Sequence, residues 1–288
     1  MTYTIDTDKC TFCGLCAEEC PSNIITIDKN RKKAEITDDG RCIKCSHCGM
    51  ICPVGAVRYG DEELLEYDAD AARLAAEPET IRAFDHMISS KRSVRAYKDT
   101  EIAEGELDAI LHAGNTTATA QNSRQVDAMV LTGKEVADAS KVIAAVSMKV
   151  IKAVLNPVIR RILSQTKLKS YADKNLIEDY HKRVQATIDG IDDAFFFGAP
   201  VVVILTYPVK GKRFGRTDCA LAGENMMLTA HVRGIGSCMI GFAEAALFTK
   251  RLRRKVGIPS DRRIGLVFTL GYQKPEYYRY PKREEWTI

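Results

Sequence analysis

The alternation of hydrophobic and polar positions divides the chain into two unequal parts. Beyond residue 80, apolar runs of strand length stand at 128–131, 201–205, 238–240 and 266–270. Apolar residues at helical spacing lie among these runs, at 104–113, 171–193, 217–233 and 244–255. This mixture predicts about 210 residues of α/β structure. The first 60 residues hold only two short β-prone stretches, 24–27 and 57–59, which supply little hydrophobic core.

An acidic, alanine-rich segment joins the two parts. Residues 61–79 carry apolar side chains at helical spacing, and Pro78 stands near the end of the segment as a helix stop. We therefore predict a helical connector over 61–80. Its apolar face is equally well explained by simple packing against one of the two parts.

The cysteines change the picture of the first part. Eight of the ten stand in the first 52 residues, in two copies of C-x2-C-x2-C-x3-C-P at 10–21 and 42–53. In this spacing three thiolates of a run bind one [4Fe-4S] cluster and the fourth binds the other. The predicted ligand sets are Cys10, Cys13, Cys16 and Cys52 for one cluster, and Cys42, Cys45, Cys48 and Cys20 for the second.

Zinc binding and disulfide formation are two alternative uses of the cysteines. Zinc also accepts C-x2-C pairs, but it has no use for a third step and a trailing C-x3-C-P. Disulfides are disfavoured, because the N-terminus lacks a secretory signal and we expect a reducing cytoplasm. Residues 1–60 resemble a bacterial-type ferredoxin with two [4Fe-4S] clusters, matching all eight ligands and both prolines. The clusters are then expected to stabilise a module with little core of its own.

Composition excludes several classes of protein. With 45% hydrophobic and 28% charged residues the chain is an ordinary globular protein, and no run of 18 uncharged apolar residues exists. The net charge of +4 gives no argument for nucleic acid. We expect a cytoplasmic protein.

The second part lacks a dinucleotide-binding motif but holds a basic run. No G-x-G-x-x-G motif follows a predicted strand. Gly234 and Gly236 match the first two glycines of the motif, but Met239 stands at the position of the third. Residues 91–97, KRSVRAY, place three cations and a hydroxyl within five positions. Forked guanidinium groups and an ammonium suit a phosphate dianion, although such a run is also typical of a solvated surface.

From this run onwards the chain resembles the nitroreductase family of flavoproteins. Members open with R-R-S-x-R-x-Y/F, which holds the phosphate of FMN; Arg92, Ser93, Arg95 and Tyr97 fit, and Lys91 replaces the first arginine. A following loop of the family touches the flavin through an asparagine and a glutamine. Here Asn122 matches the asparagine, Arg124 stands at the glutamine position, and the loop's tryptophan is missing.

Later segments extend the resemblance over nearly all of 82–288. Residues 198–204 resemble the family's G-A-P-containing central strand, and 218–241 resemble its long dimer helix with the strand that follows. By resemblance, Met239, Ile240 and Gly241 lie beside the flavin ring. Lys282 and Arg283 resemble a second basic pair on the phosphate.

The resemblance implies an α+β protein with the following organisation. A ferredoxin-like iron-sulfur domain at 1–60 and the connector at 61–80 precede a nitroreductase-like α/β/α FMN domain at 81–288. The implied assembly is a homodimer, and the implied cofactors are FMN and two [4Fe-4S] clusters.

A basic segment at about 140–172 fits the family poorly. It has no acidic residue, seven cations and apolar residues at helical spacing, with Pro157 as a kink. We hypothesise a lid that attracts an anionic substrate or an acidic redox protein. A cap with a solvated basic face is an equal alternative, and a membrane-surface helix is a third one that we do not favour.

The two parts together predict an oxidoreductase. Electrons enter one at a time through the clusters, collect in pairs on FMN and reduce a small organic acceptor. The donor is either NAD(P)H or a reduced protein such as ferredoxin. The alternatives are an electron-relay subunit that uses FMN as a one- to two-electron converter, and a flavin-fragmenting or dehalogenating relative of the same fold.

Overall fold

The fold is taken from a computed structural model, which describes residues 3–60, 64–66, 68–166, 173–210, 213–247, 250–279 and 281–282. Contacts divide the chain into two compact units. The first comprises Met1–Thr80 together with Thr119–Arg124, and the second comprises Ile81–Ala118 and Gln125–Ile288. A short stretch from the middle of the sequence therefore belongs to the N-terminal unit.

The first unit is built from two small antiparallel ribbons and short helices. Strand β1 (Tyr3–Ile5) pairs with β4 (Val57–Tyr59), and β2 (Ile25–Asp28) pairs with β3 (Lys33–Ile36). Helix α1 (Leu15–Glu19) contains the third cysteine of the first run, and α2 (His47–Met50) contains the third cysteine of the second. Helix α3 spans Ala69–Ala75. The buried core is small: Tyr3, Cys16, Ile24, Ile25 and Val57.

The two cysteine runs repeat each other in backbone conformation as well as in sequence. Phe12 and Lys44, 32 positions apart, are both left-handed, with φ of 56° and 57°. Gly14 and Ser46 follow at φ of 94° and 59°. Serine is less tolerant of this conformation than glycine. Ser46 is buried, and its backbone N–H donates to the Tyr3 hydroxyl at 3.2 Å, which stabilises the turn.

The second unit is a four-stranded antiparallel sheet between two layers of helices. The sheet comprises β5 (Asp127–Thr132), β6 (Val201–Pro208), β7 (Ile235–Met239) and β8 (Arg262–Tyr272), in the order β5-β6-β8-β7. The helices are α4 (Pro78–Ser90), α5 (Glu104–Asn115), α6 (Gly133–Leu155), α7 (Pro157–Ser164), α8 (Lys174–Ile188), α9 (Gly215–Val232), α10 (Gly241–Ala246) and α11 (Lys250–Lys255).

The two faces of the sheet carry separate cores, because side chains alternate along a strand. Val202, Ile204 and Val267 face a core shared with α6, α8 and α10. Val203, Leu205 and Phe268 face a second core shared with α5 and α9. This arrangement confirms the predicted α/β/α layering and explains why the central strands read as continuous apolar runs.

Several elements differ from the sequence-based expectation. Pro78 was predicted to stop a helix, but it is the first residue of α4, and α3 ends earlier, at Ala75. At the start of a helix the missing N–H of proline breaks no hydrogen bond. The helix expected at 244–255 is two helices, α10 and α11. Pro157 also begins a helix rather than kinking one, because Asn156 caps α7 by accepting from the N–H groups of Val158 and Ile159.

The described part of the basic segment lies on helices α6 and α7. No single helix among the described residues is long and apolar enough to cross a bilayer. Gly133–Leu155 and Pro157–Ser164, which are bent by 84° relative to each other, reach the required length and composition only as a pair. The inner face of α6 is buried, as in Ile143 and Ala144. Helix α7 has no buried residue, and Val158 and Ile162 are exposed. Residues 167–172 of the predicted insertion lie outside the described residues.

Candidate functional site

Two pockets of the first unit gather the eight cysteines of the repeated runs. One is lined by Cys10, Cys13, Cys16 and Cys52. The other is lined by Cys20, Cys42, Cys45 and Cys48. In each pocket the fourth cysteine comes from the opposite run. This is the crossed distribution that the spacing predicts.

The cysteine side chains influence one another electrostatically. Burial raises the pKa of the Cys16 thiol, and the neighbouring Cys52, Cys10 and Cys13 raise it further. Burial likewise raises the pKa of Cys48 to about 11. Thiolates in such a place need positive charge beside them, which iron supplies.

The thiols are not drawn together around a single ion. Among the described residues, no group of three or more His, Cys, Asp or Glu could hold one metal ion. Each pocket instead gathers four thiols, three from one run and the fourth from the other. This is the donor set that a [4Fe-4S] cluster takes.

Backbone N–H groups point at several of the cysteine sulfurs. Phe12 N–H donates to Cys10 Sγ and Lys44 N–H donates to Cys42 Sγ, both at 3.4 Å. Ala56 N–H donates to Cys52 Sγ at 3.2 Å. The first two bonds come from the left-handed Phe12 and Lys44, so the turn geometry of each run serves to turn an amide towards a ligand.

The segment Thr119–Arg124 completes the first unit next to the second run. Asn122 donates its side-chain amide to the carbonyl oxygens of Ile43, at 3.4 Å, and Lys44. Its Oδ1 accepts from Arg124 Nε at 3.3 Å. Both residues were predicted to touch a flavin. These bonds link Asn122 to the cysteine loop and to Arg124, and the flavin role of Asn122 and Arg124 stays a prediction.

The second unit has a cavity of about 380 Å³ lined by basic side chains. It lies between the end of α4, the segment after it, the end of α9 and the start of β7. The predicted Lys91 and Arg92 line it together with His86 and His231, and Ser90, Ser237 and Tyr277 add hydroxyl groups. A pocket with this lining attracts anions.

Interactions inside the pocket show its positive character. Lys91 Nζ lies 3.2 Å from a carboxylate oxygen of Glu224, and the Ser90 hydroxyl lies 2.9 Å from His231 Nε2. Burial lowers the pKa of His231, and the charges of Lys91, His86 and Arg92 lower it further. The surroundings thus oppose another positive charge and favour a bound anion.

The segment after Lys91 is fixed to the edge of the sheet. Ser93 forms a parallel bridge with Ser237 of β7, and Val94 N–H donates to the Ser237 carbonyl at 2.9 Å. Val94 approaches so closely that a Cβ on Gly236 would lie 2.6 Å from its Cγ2. The packing of Val94 therefore explains why glycine occupies position 236, without a role in dinucleotide binding.

Tyr97 anchors the other end of this segment. Its buried hydroxyl donates to the Val94 carbonyl at 2.8 Å and lies 2.7 Å from Thr269 Oγ1 of β8. Ser93 and Arg95, which are exposed, hydrogen-bond the Cys238 thiol, whose pKa burial raises. The structure therefore brings the 91–97 motif and β7 together.

The residues expected beside a flavin ring follow β7. Met239 is half exposed, Ile240 is buried, and Gly241 opens α10 with open space where a Cβ would point. The place of these three residues beside a flavin ring stays a prediction. Lys282 is exposed, and Arg283 lies outside the described residues.

Sequence reasoning missed His86 and His231 as pocket residues, and Glu224 as the ion-pair partner of Lys91. They lie on α4 and α9, far apart in the chain, and no local motif connects them. The amphipathic spacing of Ile81, Phe84 and Ile88 could have revealed α4. Only the fold brings its last turn to the end of α9.

Comparison with known proteins identifies the larger unit. Residues 88–272, more than half of the chain, match the nitroreductase family. The chain belongs to the nitroreductase family. Residues 5–56 of this nitroreductase match a 4Fe-4S dicluster domain. It is thus an oxidoreductase with an iron-sulfur domain at its N-terminal side.

Individual relatives agree with this assignment. The chain is 25% identical to 4-nitrobenzoate reductase from Pseudomonas putida over 209 residues, covering 66% of this chain and 85% of the relative. It is 35% identical to dihydromethanopterin reductase (acceptor) from Methanosarcina mazei over 75 residues, but this covers only 24% of the chain and 29% of that protein. A Bacteroides fragilis nitroreductase structure with bound FMN shares the fold, with a TM-score of 0.53 and 22% identity over 70% of this chain and 95% of that one.

Proposed function

We propose that the protein is an FMN-dependent oxidoreductase that receives electrons through two [4Fe-4S] clusters of its own and reduces a small organic acceptor. The observation that carries the proposal is the crossed distribution of the eight cysteines over two pockets in a chain whose other unit is a nitroreductase. Bound FMN supplies hydride transfer, and iron-sulfur clusters supply one-electron transfer.

The chain's own residues account for the binding of FMN. Lys91 and Arg92 in the basic cavity, with Ser93 and Arg95 beside it, offer charge and hydrogen-bond donors for a phosphate dianion. Lys282 and Arg283 are proposed to add to them. Met239, Ile240 and Gly241 offer the open edge for the ring, and the FMN-bound structure of the B. fragilis relative supports this choice of flavin.

The activities of relatives favour an enzyme over an electron-relay subunit. 4-Nitrobenzoate reductase acts on a small carboxylated aromatic compound, and dihydromethanopterin reductase is also named for a small-molecule substrate. We propose an acceptor of the first kind, an anionic aromatic compound. A relay would pass electrons to a protein and show no turnover with any small acceptor.

A homodimer is proposed because two helices of the second unit present apolar side chains to solvent. Ile81, Phe84 and Ile88 of α4 are about half exposed, as is Leu221 of α9, and Val232 of α9 is 66% exposed. Exposed apolar residues at helical spacing are typical of a subunit interface. The molar mass in solution, measured by light scattering, tests this part of the proposal.

The proposed function is tested by purification without oxygen, followed by counts of iron, sulfide and flavin per chain. Reduced ferredoxin and NADPH are then offered separately, with 4-nitrobenzoate as the acceptor. We expect two clusters and one FMN per chain, and turnover with reduced ferredoxin. Protein that binds zinc instead of iron, or that carries no flavin after incubation with FMN, contradicts the proposal.

The basic segment predicts a preference for anionic acceptors. Lys149, Lys152 and Arg161 are exposed on α6 and α7 in a stretch without acidic residues. Replacing all three by glutamate is expected to raise the KM for 4-nitrobenzoate about tenfold at low salt, with the difference disappearing at high salt. The KM for neutral nitrobenzene should stay unchanged.

A matched control for this prediction is available on α11. Lys250, Arg251 and Lys255 are also exposed, and their replacement by glutamate changes the net charge by the same amount. If both triple variants raise the KM equally, net charge alone is responsible. If the α6–α7 variant changes the KM for anionic and neutral acceptors alike, the electrostatic explanation is wrong.

A further inference from the structure

One peptide group of the second cysteine run is held from both ends. The peptide between Ile43 and Lys44 donates its N–H to Cys42 Sγ at 3.4 Å. Its carbonyl oxygen accepts from Asn122 Nδ2, also at 3.4 Å. The same amide donates to the next carbonyl, that of Lys44, which precedes Cys45. Asn122 thus fixes two successive peptide groups between two predicted cluster ligands.

The segment that carries Asn122 is built for this contact rather than for regular structure. Gln121, Asn122 and Arg124 are all left-handed, with φ of 55°, 48° and 42°. Non-glycine residues adopt this conformation rarely, and three within four positions require support from their surroundings. That support is local: Thr119 Oγ1 accepts from Arg124 N–H at 3.0 Å, and Asn122 N–H donates to the Thr119 carbonyl at 2.9 Å.

Two effects of the Asn122 contact follow from hydrogen-bond physics. A donor on a carbonyl polarises the whole peptide group and strengthens the bond that its N–H makes, so the N–H···S bond to Cys42 gains strength. Hydrogen bonds to cluster sulfurs stabilise the reduced, more negative form of a cluster. In addition, an immobilised loop releases its ligands less readily.

We propose that Asn122 is a positioning residue for the cluster bound by Cys20, Cys42, Cys45 and Cys48, and that it raises the reduction potential and the retention of this cluster. The inference rests on the proposed function in so far as the protein must contain clusters. It assigns to a segment within the nitroreductase match a role in the iron-sulfur site, which neither the family nor the dicluster domain predicts.

The test uses two variants of Asn122 in the full-length protein. Asn122→Gly removes the amide and still permits the left-handed backbone, so backbone strain is not added. Asn122→Asp keeps the shape but replaces the donor by an acceptor. Asn30→Gly is the matched control: Asn30 is exposed in the turn between β2 and β3, in the same unit.

Potentiometric titration followed by EPR is expected to show that one of the two cluster couples shifts in both Asn122 variants. At a fixed potential near its midpoint, the ratio of oxidised to reduced cluster should be about tenfold higher than in the wild type, equivalent to a shift of the midpoint by about 59 mV towards negative values. Iron release to a chelator should be about tenfold faster for half of the iron. Asn30→Gly should behave as the wild type.

Other outcomes overturn the inference. Unchanged couples and release rates in both variants show that Asn122 has no such role. A shift of both couples together, or loss of all iron, shows general loosening of the unit rather than an effect on one cluster. If the wild type itself contains no clusters, the proposed function fails and the inference fails with it, whereas clusters in the wild type with unresponsive variants refute the inference alone.

Discussion

Purified without oxygen, a Cys52→Ser variant is expected to hold about half of the wild-type iron and sulfide. Cys52 lines the pocket of Cys10, Cys13 and Cys16, although it belongs to the other run. A hydroxyl replaces a soft thiolate poorly at iron, and three remaining ligands hold a [4Fe-4S] cluster weakly. The measurement is iron and sulfide per chain, with EPR of the dithionite-reduced protein.

Double variants distinguish crossed from uncrossed ligand sets. Cys13→Ser with Cys52→Ser removes two ligands of one pocket, so the iron content should equal that of either single variant. Cys13→Ser with Cys20→Ser damages both pockets and should leave almost no iron. The reverse ranking would mean that each run binds its own cluster. Cys219→Ala, which changes a buried thiol of the second unit outside both sets, should keep all the iron.

Replacing Lys91 and Arg92 by alanine is expected to weaken FMN binding strongly. Each charge-assisted hydrogen bond contributes about 1.5–3 kcal/mol, and about 1.4 kcal/mol corresponds to a factor of ten in Kd. Each substitution should therefore raise the Kd of FMN at least tenfold. Quenching of flavin fluorescence on titration of flavin-free protein measures the effect.

Riboflavin supplies the control for this prediction because it lacks the phosphate. Its Kd should be the same in the wild type and the variants. Lys98→Ala removes an exposed cation a few residues further along and should leave both affinities unchanged. Equal weakening of FMN and riboflavin would indicate a damaged pocket rather than a lost phosphate contact.

The central elements of the fold could be predicted because burial on both faces leaves an unmistakable pattern. Strands β6 and β8 are continuous apolar runs, and both proved to be central strands with a core on each side. The short β1 and β3 were not predicted, because three or four half-buried residues carry almost no periodicity. Helix α6 begins with a capping box of Thr132 and Glu135, a local signal in the sequence that lies outside the apolar spacing of the basic segment.

The candidate sites also differ in how far the sequence predicts them. The spacing predicts the same grouping of cysteines that lines the two pockets, while their role as cluster ligands stays a prediction. The basic cavity was only half predicted. Lys91 and Arg92 belong to one short motif, whereas His86 and His231 meet them only through the packing of α4 and α9. The contact of Asn122 with Ile43 and Lys44 spans 78 to 79 positions, and no local pattern encodes it.

Because Thr119–Arg124 belongs to the first compact unit, that unit cannot be completed until residue 124 has been synthesised. A ribosome adds roughly 5–20 residues per second, and N-terminal domains usually fold as they emerge. Here the last piece of the iron-sulfur unit is translated only after α4 and α5 have been made. The loop between Cys42 and Cys45 is therefore expected to lack the restraint of Asn122 until residue 124 has been made, so the first unit reaches its final structure only after part of the second has been synthesised.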